Sequence, residues 1–160
     1  MRPHLDADKA VDMSSTDQNS YLRNAILQAS PEQLQLMLYD GAIRFALRGR
    51  DAIERKDHEA SFEALSRAQK IILEMQAGLR ADVNAELCER MSSLYNFIYR
   101  KLVNGSVNRD VSEIDAALRI LRLERETWVI LLDKVNKERA EQVVVVGDES
   151  PKPGSLSVEG

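Results

Sequence analysis

The sequence predicts an all-α fold: an antiparallel up-and-down four-helix bundle with disordered N- and C-terminal tails. Three observations carry this. No proline falls between Pro31 and Pro151, and proline is the residue that helix interiors exclude. Across that stretch apolar side chains recur at steps of three, four and seven, the period of a helix buried on one face. The pattern divides into four segments separated by short breaks, which in an all-helical chain sets sequence neighbours antiparallel.

The first segment opens at Ser30-Pro31-Glu32-Gln33. Ser30 is placed to cap, Pro31 suits the first helical position, and Gln33 completes a capping box. Leu34, Leu38, Ala42, Phe45 and Ile53 then repeat at helical spacing. Asp40-Gly41, inside this run, is by itself a hairpin signal. Its flanks are Leu, Met, Gln and Ala, with Ile43 the only β-branched neighbour, so the helix is preferred. A helical Gly41 costs about 1 kcal/mol relative to alanine, and predicts a close approach by another backbone or side chain.

The second segment begins near Asp57 and carries Phe62, Leu65, Ile72, Met75 and Leu79. The third runs from about Asn84 through Leu87, Met91, Leu94, Tyr95, Ile98 and Leu102. The fourth starts at Asp110, with Glu113 at capping-box spacing, and presents Ile114, Leu118, Leu121, Trp128, Leu132 and Val135. Gly78 and Gly105 stand where the period fails and read as loops or helix ends.

These limits divide the chain into a disordered extension at 1–18, a helical domain at 19–137 and a disordered tail at 138–160. Both ends lack periodicity, and the tail buries too little to offset the entropy of ordering it. Its one exception is the β-prone run Val143 to Val146.

With 160 residues, 44% hydrophobic and 30% charged, the chain holds enough apolar material for one core. A net charge of −4 argues against a nucleic-acid partner, which calls for a basic excess. The single cysteine, Cys88, allows no intramolecular disulfide and suits a reducing compartment. The amino terminus lacks the apolar run of a secretory signal, and no later run is long enough to span a membrane. A cytoplasmic protein without membrane insertion is expected.

No chemistry gathers in the sequence. The histidines, His4 and His58, belong to no Glu-x-x-His arrangement of the kind that builds metal centres in bundles. Cys88 has no ligand partners nearby, and no glycine loop cradles a phosphate. We therefore expect no catalytic residues, no cofactor and no metal. The apolar stripe is wide instead, with ten apolar residues between Leu34 and Leu47, leaving surface that can serve helix-in-groove recognition.

The stretch QASPEQLQLMLYDGAIRF, at 28–45, resembles the opening helix of the FliS family, cytosolic export chaperones of flagellin. The matching residues are Ala29, Ser30, Pro31, Leu34, Met37, Leu38, Tyr39, Asp40, Gly41, Ala42 and Ile43. RAQKIILEM at 67–75, LYNFIYRKL at 94–102 and RETW at 125–128 are similar to the family's later helices, in order and over about residues 19–137. Tyr21, nine residues before Ser30, holds the place of a family tyrosine. Gly105-Ser106 and Thr127 depart from the pattern.

The resemblance implies a chaperone that wraps the disordered C-terminal region of flagellin and hands it to the type III export gate. Docking to the gate component FlhA would fall on Tyr21, with Leu22 and Ile26 beside it. Further partner contacts are expected from Leu38, Tyr39, Gly41, Ile72, Tyr95, Ile98, Leu102 and Trp128, in a monomer or weak homodimer. The alternative is a regulatory adaptor of the same fold, binding another late flagellar protein or an anti-sigma factor.

Overall fold

A computed structural model describes residues 7–147. It is all-helical over that range, with five helices and no strand among the described residues: α1 (Ala7–Gln28), α2 (Pro31–Glu54), α3 (His58–Ala77), α4 (Ala85–Asn108) and α5 (Val111–Gly147). The starts of α2 to α5 fall where the sequence places them. Ser30 and Gln33 make the reciprocal capping box, the Gln33 amide donating to Ser30 Oγ at 3.2 Å and the Ser30 amide to Gln33 Oε1 at 2.9 Å. Asp57 accepts from the Ala60 amide at 3.1 Å and Asn84 from the Leu87 amide at 3.0 Å, each satisfying a donor the helix cannot. At α5 the cap differs from expectation. Asp110 accepts from Ser112, while Glu113 pairs across to Lys101 of α4 at 2.9 Å.

The number of helices is the main correction. Sequence periodicity yields four, but α1 precedes them and covers residues 7–18, expected to be disordered. Residues 4–30 contain neither proline nor glycine, so nothing in them breaks a helix. From residue 15 onward no side chain of α1 is buried; Tyr21 is 78% exposed and Leu27 73%. The second change is at the other end, where α5 runs past 137 to Gly147, taking Val143 to Val146 into its exposed last turns rather than into a strand. Residues 1–6, with His4, and residues 148–160 of the expected tail lie outside the described residues.

The four later helices close a ring in which α2 packs on α3 and α5, α3 on α4, and α4 on α5. Along α2, Glu32, Asp40 and Arg50 pair with Arg139, Arg125 and Asp115. Partner numbers fall as α2 rises, so α2 and α5 run in opposite directions. The centre is filled by Tyr39, Ala42 and Ala46 of α2, Leu65, Ala68 and Ile72 of α3, Tyr95, Ile98 and Leu102 of α4, and Ile114, Leu118 and Leu121 of α5. Gly41 is buried in this ring, as its helical setting predicts, and a Cβ there would lie 3.2 Å from Ile71 Cδ1. Gly105 takes the helix-end setting of the two expected, in the last turn of α4, packed against Ile114.

Candidate functional site

One end of the ring is open. There the last turn of α3, the 78–84 linker, the first turns of α4 and the middle of α5 surround a groove of about 460 Å³, a volume within the range of ligand and peptide sites. Met75 and Leu79 form one wall. Leu87 and Met91 of α4 face them, and Trp128 and Leu131 of α5 close the third side. Val83 and Leu87 are 77% and 56% exposed, so the groove opens to solvent over an apolar lip.

Motif residues hold α2 and α5 at this end. Asp40 pairs with Arg125, and the Trp128 indole Nε1 donates to the Glu32 carbonyl at 2.8 Å. The similar stretches at 28–45 and 125–128 thus clasp each other, and the clasp fixes Trp128 along the groove.

Below the groove lies a polar pair. The Tyr39 and Tyr95 hydroxyls share a hydrogen bond of 3.0 Å, and the Gln35 amide donates to Tyr95 at 3.1 Å. Burial pushes both phenols above their ordinary range, with the neighbouring Glu124 adding to the shift. Glu124 itself lines the groove, and burial raises its carboxyl above the usual glutamate value. Nothing in this set suggests bond-making chemistry. Among the described residues no group of three His, Cys, Asp or Glu could hold a metal, and no helix is long and apolar enough to cross a membrane.

The predicted contact residues divide three ways. Tyr39, Gly41, Ile72, Tyr95, Ile98 and Leu102 are buried in the ring, and of them Tyr95 borders the groove. Leu38 and Trp128 are half-buried against that core. Tyr21, Leu22 and Ile26 are exposed together on α1, away from the groove's lining. The residues missed are Val83, Glu124 and Leu131, along with Leu79, Leu87 and Met91, which the stripe marked only as core. The available signal was position: Leu79, Val83, Leu87 and Met91 lie in the 78–84 linker and the first turns of α4, where the stripe leaves the ring.

An apolar groove framed by helices defines the class structurally: an all-helical ring with one open apolar end. A family model, Flagellar protein FliS, matches residues 13–135, and the chain belongs to the FliS family. It is 32% identical over 120 residues to "Flagellar secretion chaperone FliS" of Bacillus subtilis (strain 168), covering 75% of this chain and 89% of that relative. To the protein of the same name from Salmonella typhimurium (strain LT2) it is 34% identical over 108 residues, 67% of this chain and 80% of the relative. A solved structure described as "Crystal structure of flagellar chaperone from bacteria" shares the fold, with a TM-score of 0.62 at 20% identity over 74% of this chain and 98% of that one.

Proposed function

We propose that this protein is a cytoplasmic flagellar export chaperone. Its client is flagellin, held by the disordered C-terminal region so that it does not polymerise before export, and it is not an enzyme. In this reading α2 to α5 act as an antiparallel four-helix bundle, a rigid frame onto which the client folds. Such coupled folding typically buries about 1,000–3,000 Å² and loses roughly 2–5 kcal/mol to ordering the client. A preformed apolar groove offsets that loss without ordering the chaperone as well. The observation that carries the reading is the open apolar groove at the clasped end of a FliS-family fold.

Delivery to the gate component FlhA is assigned to α1, whose Tyr21, Leu22 and Ile26 form an exposed apolar set. The test is a pull-down of full-length flagellin against flagellin lacking its C-terminal segment. Capture of the first and loss of the second is the expected result. Equal capture of both overturns the reading and turns attention to the adaptor function.

A further inference from the structure

Two of the residues lining the groove are charged, Arg80 and Glu124. Arg80 is occupied: its guanidinium grips Asp82 through two hydrogen bonds, of 2.7 and 3.2 Å. Glu124 is different. Among the described residues no hydrogen bond and no ion pair engages its carboxylate. It stands one turn before Trp128 and two before Leu131, on the face of α5 that lines the groove. The neighbouring phenols of Tyr39 and Tyr95 bond to each other, and Tyr95 accepts from Gln35; none of these bonds reaches Glu124.

While the groove is open, Glu124 is half-buried and keeps part of its exposure to solvent. A segment lying across the apolar lip expels that solvent, and a buried carboxylate without a partner is heavily penalised. A wholly apolar segment leaves it unpaired, and an acidic one adds repulsion. A cationic side chain replaces the lost solvation with a charge-assisted hydrogen bond. Discrimination then comes from the penalty imposed on the wrong segment as much as from the contact made by the right one.

We infer that the client segment seated in this groove is apolar apart from one basic side chain, an arginine or lysine, which meets Glu124. This rests on the proposed reading that the groove seats flagellin's C-terminal region, and it adds a chemical requirement on that region.

Trp128 is the chain's one tryptophan and lines the groove, so its fluorescence reports occupancy. The full chain is titrated with a peptide of the C-terminal segment of the same organism's flagellin, and with variants in which each basic residue in turn becomes glutamine. Replacing one particular basic residue weakens binding about tenfold, the scale of a charged hydrogen bond. Glu124→Gln weakens the unaltered peptide by a similar factor, and the two changes together lose little more than either alone. Glu124→Lys regains affinity for a peptide with glutamate at that position.

The inference is overturned if Glu124→Gln, folded by circular dichroism, binds the peptide as tightly as the parent or more so, or if no basic position couples to it. The double variant Leu87→Gln, Leu131→Gln separates the two levels. If it loses binding while Glu124→Gln does not, the basic-residue requirement alone fails. If it binds like the parent, the groove is not the seat and both readings fail.

Discussion

The two ends of the helix ring are built from the same kinds of side chain and behave differently. At the closed end the connections are short, residues 55–57 and 109–110, and two glycines bring the helices together. A Cβ at Gly49 would stand inside the Leu65 side chain, and one at Gly105 inside Ile114. At the open end the linker spans 78–84, no glycine notch draws the helices in, and Val83, Leu87 and Trp128 stand around a space rather than fill it. Apolar content alone does not make a core. Interhelical approach decides whether the same residue types become core or binding surface.

The sharpest way to break this contrast is to enlarge the closed end. Gly49→Val or Gly105→Val should cost about 3 kcal/mol each, the upper range for overpacking a filled core, read as a lower urea midpoint. Leu87→Ala at the open lip, 56% exposed, should stay within about 0.5 kcal/mol while weakening client binding. Equal losses at the two ends would show that the open end is packed after all. Next in size is the clasp. Trp128→Phe removes the donor to the Glu32 carbonyl and should lower stability by about 1 kcal/mol, measured by urea unfolding at unchanged helical content.

Much of the closed frame was legible in sequence, because caps and stripes are local. Ser30 caps α2 as expected, Asp57 and Asn84, near which two segments were expected to begin, cap α3 and α4, and Leu65, Ile72, Leu102 and Leu121 are fully buried. The groove was legible only in outline. Periodicity says which face of a helix turns inward but not whether a neighbour covers that turn, so Leu79, Leu87 and Met91 read as core although they line the groove. The pairing of Asp40 with Arg125 bridges 85 residues and leaves no local trace, while α1 escaped notice because from residue 15 onward it buries no side chain and so shows no stripe.

The two ends should also answer pH with opposite signs. At the closed end the Arg50 guanidinium, hydrogen-bonded to Asp115 at 2.6 Å, holds that carboxyl below the usual aspartate range. Its stabilisation is complete above the unfolded value and is lost as pH falls through the folded one. At the open end burial raises Glu124. Between the usual glutamate value and this raised one, the folded chain keeps a proton that the unfolded chain has released, so stability falls as pH rises through that window. Glu124→Gln should therefore be more stable than the parent above the window and equal to it below, measured as urea midpoints across the acid range. A Glu124→Gln midpoint below the parent's at neutral pH would place a structural partner on this carboxylate.

The smallest effect expected lies in the connections of the closed end, which hold non-glycine residues in left-handed backbone: Lys56 at φ 61° and Arg109 at φ 53°. Side chains there crowd the following carbonyl, at about 1–2 kcal/mol per residue. Glycine avoids that crowding but loses more freedom on folding. Arg109 also ends α4, its amide bonding to the Gly105 carbonyl, so only the side chain is at issue. Arg109→Gly should therefore gain about 0.5 kcal/mol, seen as a slightly higher urea midpoint with client affinity unchanged, because the groove is at the far end of the ring. A change in affinity with that gain would mean that the two ends are mechanically coupled, and that tightening one reshapes the other.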